Sequence, residues 1–272
     1  MPSSNPAFSR GFPAAGPGQY ASWGQGPQQT YGGAPTQYDP YAAPSPYAAT
    51  GRAYMTMDDV VTKTGVTFLV TVLAAALTWA MPGNTGLALV FPAVIAALVL
   101  GLVISFKQIA NPAATLTYAA FQGVLVGAIS EFYNANFTGN IVMQAVIGTF
   151  GVFAGMLVVY KTGAIRVTPK LTRWVVGAMF GVLALVLVNL VASFFTPGGL
   201  GLRDGGPLAI VFSIVVIGVA AFSLLLDFDM ADQAIRRGAP AKFAWYIAFG
   251  LLVTVIWLYL EILRLLSYLQ DN

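Results

Sequence analysis

Apolar runs of membrane length recur from about residue 57 to the C-terminus, and they restrict the fold more than any other feature of the chain. A helix rises 1.5 Å per residue, so roughly 20 apolar residues cross about 30 Å of hydrocarbon. A large soluble core can hide one such run, but not a chain built mostly of them. Of 272 residues, 57% are hydrophobic and only 8% are charged, against roughly 25% charged in a soluble domain. Backbone groups in hydrocarbon must be satisfied within the segment or in a closed barrel. Runs of this length therefore predict an all-α polytopic membrane protein.

Seven spans are expected: Met57–Met81, Leu87–Phe106, Ala113–Tyr133, Ile141–Tyr160, Trp174–Phe195, Leu208–Phe228 and Phe243–Leu269. Thr56 is placed to cap the first, and Asp58 and Asp59 suit a helix N-terminus. Residues 51–272 thus form one transmembrane domain. Residues 1–50 are a different material, rich in Pro, Gly and Tyr, with no basic start or apolar stretch of a signal peptide. They cannot build an apolar core, which predicts a disordered tail whose tyrosines could meet a protein partner.

The 13 basic and 10 acidic residues leave a net charge of +3. Topology accounts for this charge better than a nucleic-acid partner does. Arg52, Lys107, Lys161, Arg166, Lys170, Arg173, Arg236, Arg237 and Lys242 fall on one side of a seven-span chain. Arg203 falls in a loop on the other side, with Arg264 toward the far end of the last span. The positive-inside rule then predicts a cytoplasmic N-terminal tail and an external C-terminus. Three small-residue strips, Gly123-xxx-Gly127, Gly151-xxx-Gly155 and Gly177-xxx-Gly181, offer flat faces for close helix packing within the bundle.

The chain has no Cys and no His. Thiol chemistry, disulfides and His-based metal sites or pH switches are therefore excluded, and any proton sensing rests on carboxylates. Acids in membrane-length segments are costly unless paired, hydrated or neutralised. Asp227 and Asp229 close the sixth apolar run, and Glu261 lies in Trp257-Leu-Tyr-Leu-Glu-Ile-Leu-Arg-Leu-Leu266 of the seventh. If a helix continues through both aspartates they point apart, so one at most faces a central site. Arg264 can neutralise Glu261 across three residues. Two neighbouring carboxylates share a proton or recruit a cation, so one aspartate with Glu261 could form a proton-linked latch, with Lys107 as its basic partner. The two levels meet only if the last helix begins around Ala248 to Leu252, or if the last segment is short or re-entrant. Glu131, near the opposite surface, could line the outer end of an ion route.

Phe222-Ser-Leu-Leu-Leu-Asp-Phe-Asp229 and Leu258-Tyr-Leu-Glu-Ile-Leu-Arg-Leu-Leu266, in this order of hydrophobic segments, resemble the Bax inhibitor-1 family, its bacterial YccA/YetJ-like branch in particular. The resemblance covers about Met57 to Leu269. It implies a seven-helix bundle with the last helix central, in a cell inner (plasma) membrane. It also implies a pH-sensitive calcium leak governed by acids on helices 6 and 7. Asp229 takes the first acidic position, with Asp227 as the register alternative. Glu261 takes the second, where Asp is common, and Lys107 lies near a basic position at the end of helix 2. Calcium would be the transported ion, bound transiently by Asp229 and Glu261, with no resident cofactor. The expected function is a passive, pH-regulated cation leak and no enzymatic reaction. A proton-coupled exchanger and a non-transporting regulatory membrane protein are the alternatives, and an intramembrane aspartyl protease is a weaker third.

Overall fold

The helices begin where the chain can cap them. Thr56 Oγ1 accepts from the Asp59 N–H at 3.3 Å, while the Asp59 carboxylate accepts from the Thr56 N–H at 3.0 Å. This reciprocal capping box opens α1 (Met57–Trp79). α2 spans Thr85–Lys107. α3 (Pro112–Asn136), α5 (Pro169–Ser193) and α6 (Pro207–Arg236) each start on a proline, which has no N–H to leave unpaired in a first turn. Asn111 and Thr168 cap α3 and α5 through their side chains. α4 covers Ile141–Thr162. α6 stops just before Gly238, whose φ of +68° turns the chain into the next link. A short 3-10 turn, Ala241–Phe243, then leads into α7 (Ala244–Asp271). The computed structural model describes residues 54–81 and 85–271. The tail expected over residues 1–50 lies outside the described residues.

All seven helices are long and apolar enough to cross a membrane. The chain is thus an all-α bundle of membrane-length helices, and α7 is its central element. Of α7's apolar window 67% is buried, against 11% for α5. α7 packs on α1, α3, α4 and α6. Its Phe249, Leu252 and Ile256 join Ala97 and Ile104 of α2 and Tyr118 and Ala119 of α3. Its Leu251, Val255 and Leu258 join Ala220, Leu224 and Phe228 of α6 and Ile141 and Ala145 of α4. Protein meets α7 on both of these faces, which makes it the interior helix of the bundle.

One of the three glycine strips makes the close approach its spacing predicts. A Cβ on Gly123 or Gly127 would run into the Thr71 and Ala75 carbonyls of α1, so α1 and α3 pack backbone to backbone. Gly151, Gly155, Gly177 and Gly181 meet nothing within 4 Å, and those strips play no such part within the bundle.

The links gather at two ends. At one, the Met55 N–H donates to the Ala239 carbonyl at 2.8 Å, and Thr115 at the start of α3 donates to the Trp245 carbonyl at 3.2 Å. Lys63 Nζ donates to the Ala241 carbonyl at 2.6 Å at the same end. At the other, the α3–α4 link approaches Gln270 and the α5–α6 link approaches Tyr268. α7 therefore runs the full depth of the bundle and ends opposite Tyr54. A short, re-entrant or late-starting last helix is excluded, because α7 is continuous from Ala244. Other boundaries move by a few residues, and two move farther. α5 starts at Pro169 rather than Trp174, which takes Lys170 and Arg173 into its first turns. α6 passes Phe228 and continues to Arg236. Polar pairs one turn apart carry it beyond the apolar run: Gln233 on Asp229, Arg236 on Asp232 and Arg237 on Gln233.

Candidate functional site

Because α6 is unbroken through both aspartates, they point apart. Asp227 turns to α7, where Thr254 Oγ1 donates to its Oδ2 at 2.6 Å. Gly250, one turn before Thr254, leaves the space beside the carboxylate open: a Cβ there would lie 3.8 Å from Asp227 Oδ1. Asp227 also borders a cavity of about 200 Å³ reaching Ser105 of α2, Met230 of α6 and Tyr246 of α7. Asp229 makes a contact of another kind. It accepts from Gln233 on its own helix. Asp232, farther on, accepts from the Tyr160 hydroxyl of α4 at 3.4 Å and from Arg236 Nε at 2.9 Å.

Glu261 occupies a second level of α7. It is only 3% exposed. Arg264 Nη1 donates to its Oε1 at 2.6 Å, and Arg203 Nη2 from the α5–α6 link stands 3.7 Å from the same oxygen. Oε2 is buried and has no hydrogen-bond partner among the described residues. Burial, together with the Arg264 guanidinium beside it, pulls Arg203 below its ordinary range, and Glu261 opposes that pull. A cavity of about 430 Å³ between α5 and α7 has Arg203 and Glu261 in its lining.

The structure does not bring Asp229 and Glu261 together. The level of Asp227 is fixed by Thr254, and Glu261 lies about two turns, ~10 Å, farther along α7. α6 and α7 run antiparallel, so Asp229 is farther still from Glu261. The two share neither a proton nor an oxygen site for calcium in this arrangement, which also places Asp227 rather than Asp229 against α7. Among the described residues no cluster of three or more acidic ligands forms.

Lys107 does not reach the acids either. It is exposed at the end of α2 and makes no ion pair among the described residues. Ser105 borders the Asp227 cavity, and a residue two places on points away from that face. Glu131 sits toward the opposite end, with its Oε2 buried, without a hydrogen-bond partner among the described residues, and facing Gly86, where a Cβ would stand 3.2 Å away. Beside it, Ser130 and Tyr259 share a hydrogen bond of 2.7 Å that joins α3 to α7.

The sequence reading missed Thr254 as the partner of Asp227 and Arg203 as a partner of Glu261. Arg203 carried one usable signal, its isolation among the basic residues. Thr254 is a small polar residue inside an apolar run and carried almost none.

No individual curated protein matches the chain. A family model described as Bax inhibitor 1 like matches residues 5–271. The match singles out no branch of that family, and it extends into the Pro/Gly/Tyr-rich segment that the resemblance left out. It assigns no catalytic activity. With nearly its whole length matched, the chain belongs to the Bax inhibitor 1-like family.

Proposed function

We propose that the protein is a passive, proton-regulated cation leak with calcium as the transported ion. Asp227 is the observation that carries this reading. Its carboxylate lies inside the seam between α6 and the central helix, with one oxygen held by Thr254 and the other toward Gly250 at the edge of a cavity. Ionised, it offers a cation a hard oxygen ligand, and waters complete the shell of an ion in transit. Protonated, it offers no charge. A small displacement of α7 against α6 would open or close the seam. Glu261, held by Arg264 and Arg203, forms a second acidic level, and Glu131 borders the route at its outer end. Asp229 and Lys107 take part only if the helices turn. The basic links gather at the Tyr54 end, so this end and the N-terminus face the cytoplasm of an inner (plasma) membrane. Residues 1–50 would meet protein partners there.

Calcium flux from dye-loaded proteoliposomes between pH 6 and 8 tests the proposal. Flux should rise with pH as Asp227 ionises, and Asp227→Asn should give a low flux with no pH response. An unchanged response in that variant would sink the mechanism. Uphill calcium movement driven by a pH gradient would make the protein an exchanger. Absence of flux with retained partner binding would make it a regulatory membrane protein.

A further inference from the structure

We propose that the cavity between α5 and α7 is a binding site for a membrane lipid with a phosphoethanolamine head: its ammonium on Glu261, its phosphate on Arg203, and an acyl chain along α5. The cavity holds about 430 Å³, within the roughly 300–1,000 Å³ of small-molecule sites. Its walls are apolar, with Val176, Phe180 and Leu183 from α5 and Trp257 from α7. α5 is the least buried helix of the bundle, so the neighbour available to fill a gap beside it is lipid rather than water.

The polar end sets two demands that a hydrocarbon chain alone does not meet. Glu261 is nine-tenths buried and more, and its Oε2 makes no hydrogen bond among the described residues. A buried acceptor left unpaired is costly, so it calls for a donor. Arg203 has a side chain 35% exposed and stands 3.7 Å from Glu261 Oε1. That distance is beyond a hydrogen bond, so the N–H groups of its guanidinium are open to an anion. One head that satisfies both carries an N–H cation and a phosphate a few bonds apart. Choline has no N–H to give Oε2. A purely anionic head would meet Arg203 but bring no cation to Oε2.

This inference is independent of the leak reading, since it is read by binding. The test is native mass spectrometry of the full chain in mild detergent, offered equimolar phosphatidylethanolamine, phosphatidylcholine and phosphatidylglycerol with identical chains. Retention of the ethanolamine lipid should exceed that of the other two about tenfold, the value of one charge-assisted hydrogen bond. Arg203→Gln and Leu183→Trp, the second filling the cavity from the lipid-facing helix, should each abolish the preference. Val188→Trp, on the same exposed helix but outside the cavity lining, should leave it intact. Equal retention of the ethanolamine and choline lipids, or best retention of the glycerol lipid, would overturn the head-group assignment. A preference that survives Leu183→Trp would overturn the cavity assignment, and that variant decides the question even if Arg203→Gln fails to fold.

Discussion

Asp227 packs against the central helix and Glu261 belongs to it, yet the two acids are held by opposite means. Asp227 has one hydroxyl donor and a cavity beside it. Glu261 has two guanidiniums within ion-pair distance of one oxygen. A carboxylate with a neutral partner and room to hydrate can change its charge without leaving a neighbour stranded. A carboxylate beside two arginines cannot, because losing its charge would leave two like charges together, one of them partly buried. On the proposed function the difference separates a titrating role, for Asp227 of α6, from a fastening one, for Glu261 of α7 with Arg203 of the α5–α6 link.

The largest expected effect lies at the fastened level. Arg264→Ala leaves a buried carboxylate with Arg203 at 3.7 Å as its remaining cation and should cost about 2–4 kcal/mol, read by thermal unfolding of the purified protein. The double change Glu261→Met with Arg264→Leu should cost less than Arg264→Ala alone, since no charge is then left stranded. A larger loss in the double variant would mean that the pair stabilises the bundle outright and would break the comparison. Next comes Thr254→Val, which keeps the shape and removes the donor to Asp227. It should cost about 1–2 kcal/mol and alter calcium flux, while Thr254→Ser should restore both. If Thr254→Val matches wild type in stability and flux, Asp227 is not held as its 2.6 Å contact implies.

Much of the fold was legible because its causes are local. Thr56 and Asp59 cap α1 through residues three apart, and Gly123 and Gly127 mark the α1–α3 contact by spacing alone. The apolar run that ends at Leu226 did not reveal the end of α6, because the helix is extended by polar pairs that a hydropathy reading treats as loop. The site was legible in residue type more than in partnership. That Asp227 and Asp229 must diverge follows from helix geometry. Which one meets α7 depends on the rotation of α6, and that is decided across the interface by Gly250 and Thr254. The Arg203–Glu261 contact joins a link to a distant helix, and no periodicity within either segment encodes it.

The smallest effect is the most discriminating. Asp229→Asn keeps an oxygen that can accept from Gln233, so its cost should not exceed about 0.5 kcal/mol, the scale of one pair on a helix surface. Its calcium flux should keep the wild-type pH response that Asp227→Asn loses, as measured in the same proteoliposomes. The reverse result would have a definite structural meaning. Residues two apart on a helix are separated by more than half a turn, so Asp229 can replace Asp227 against α7 only if α6 rotates by about that much. Such a rotation would take Asp227 from Thr254 and Asp232 from Tyr160. Loss of pH response in Asp229→Asn but not in Asp227→Asn would therefore place the conducting state in a different register of α6, and Thr254→Val would then leave flux unchanged.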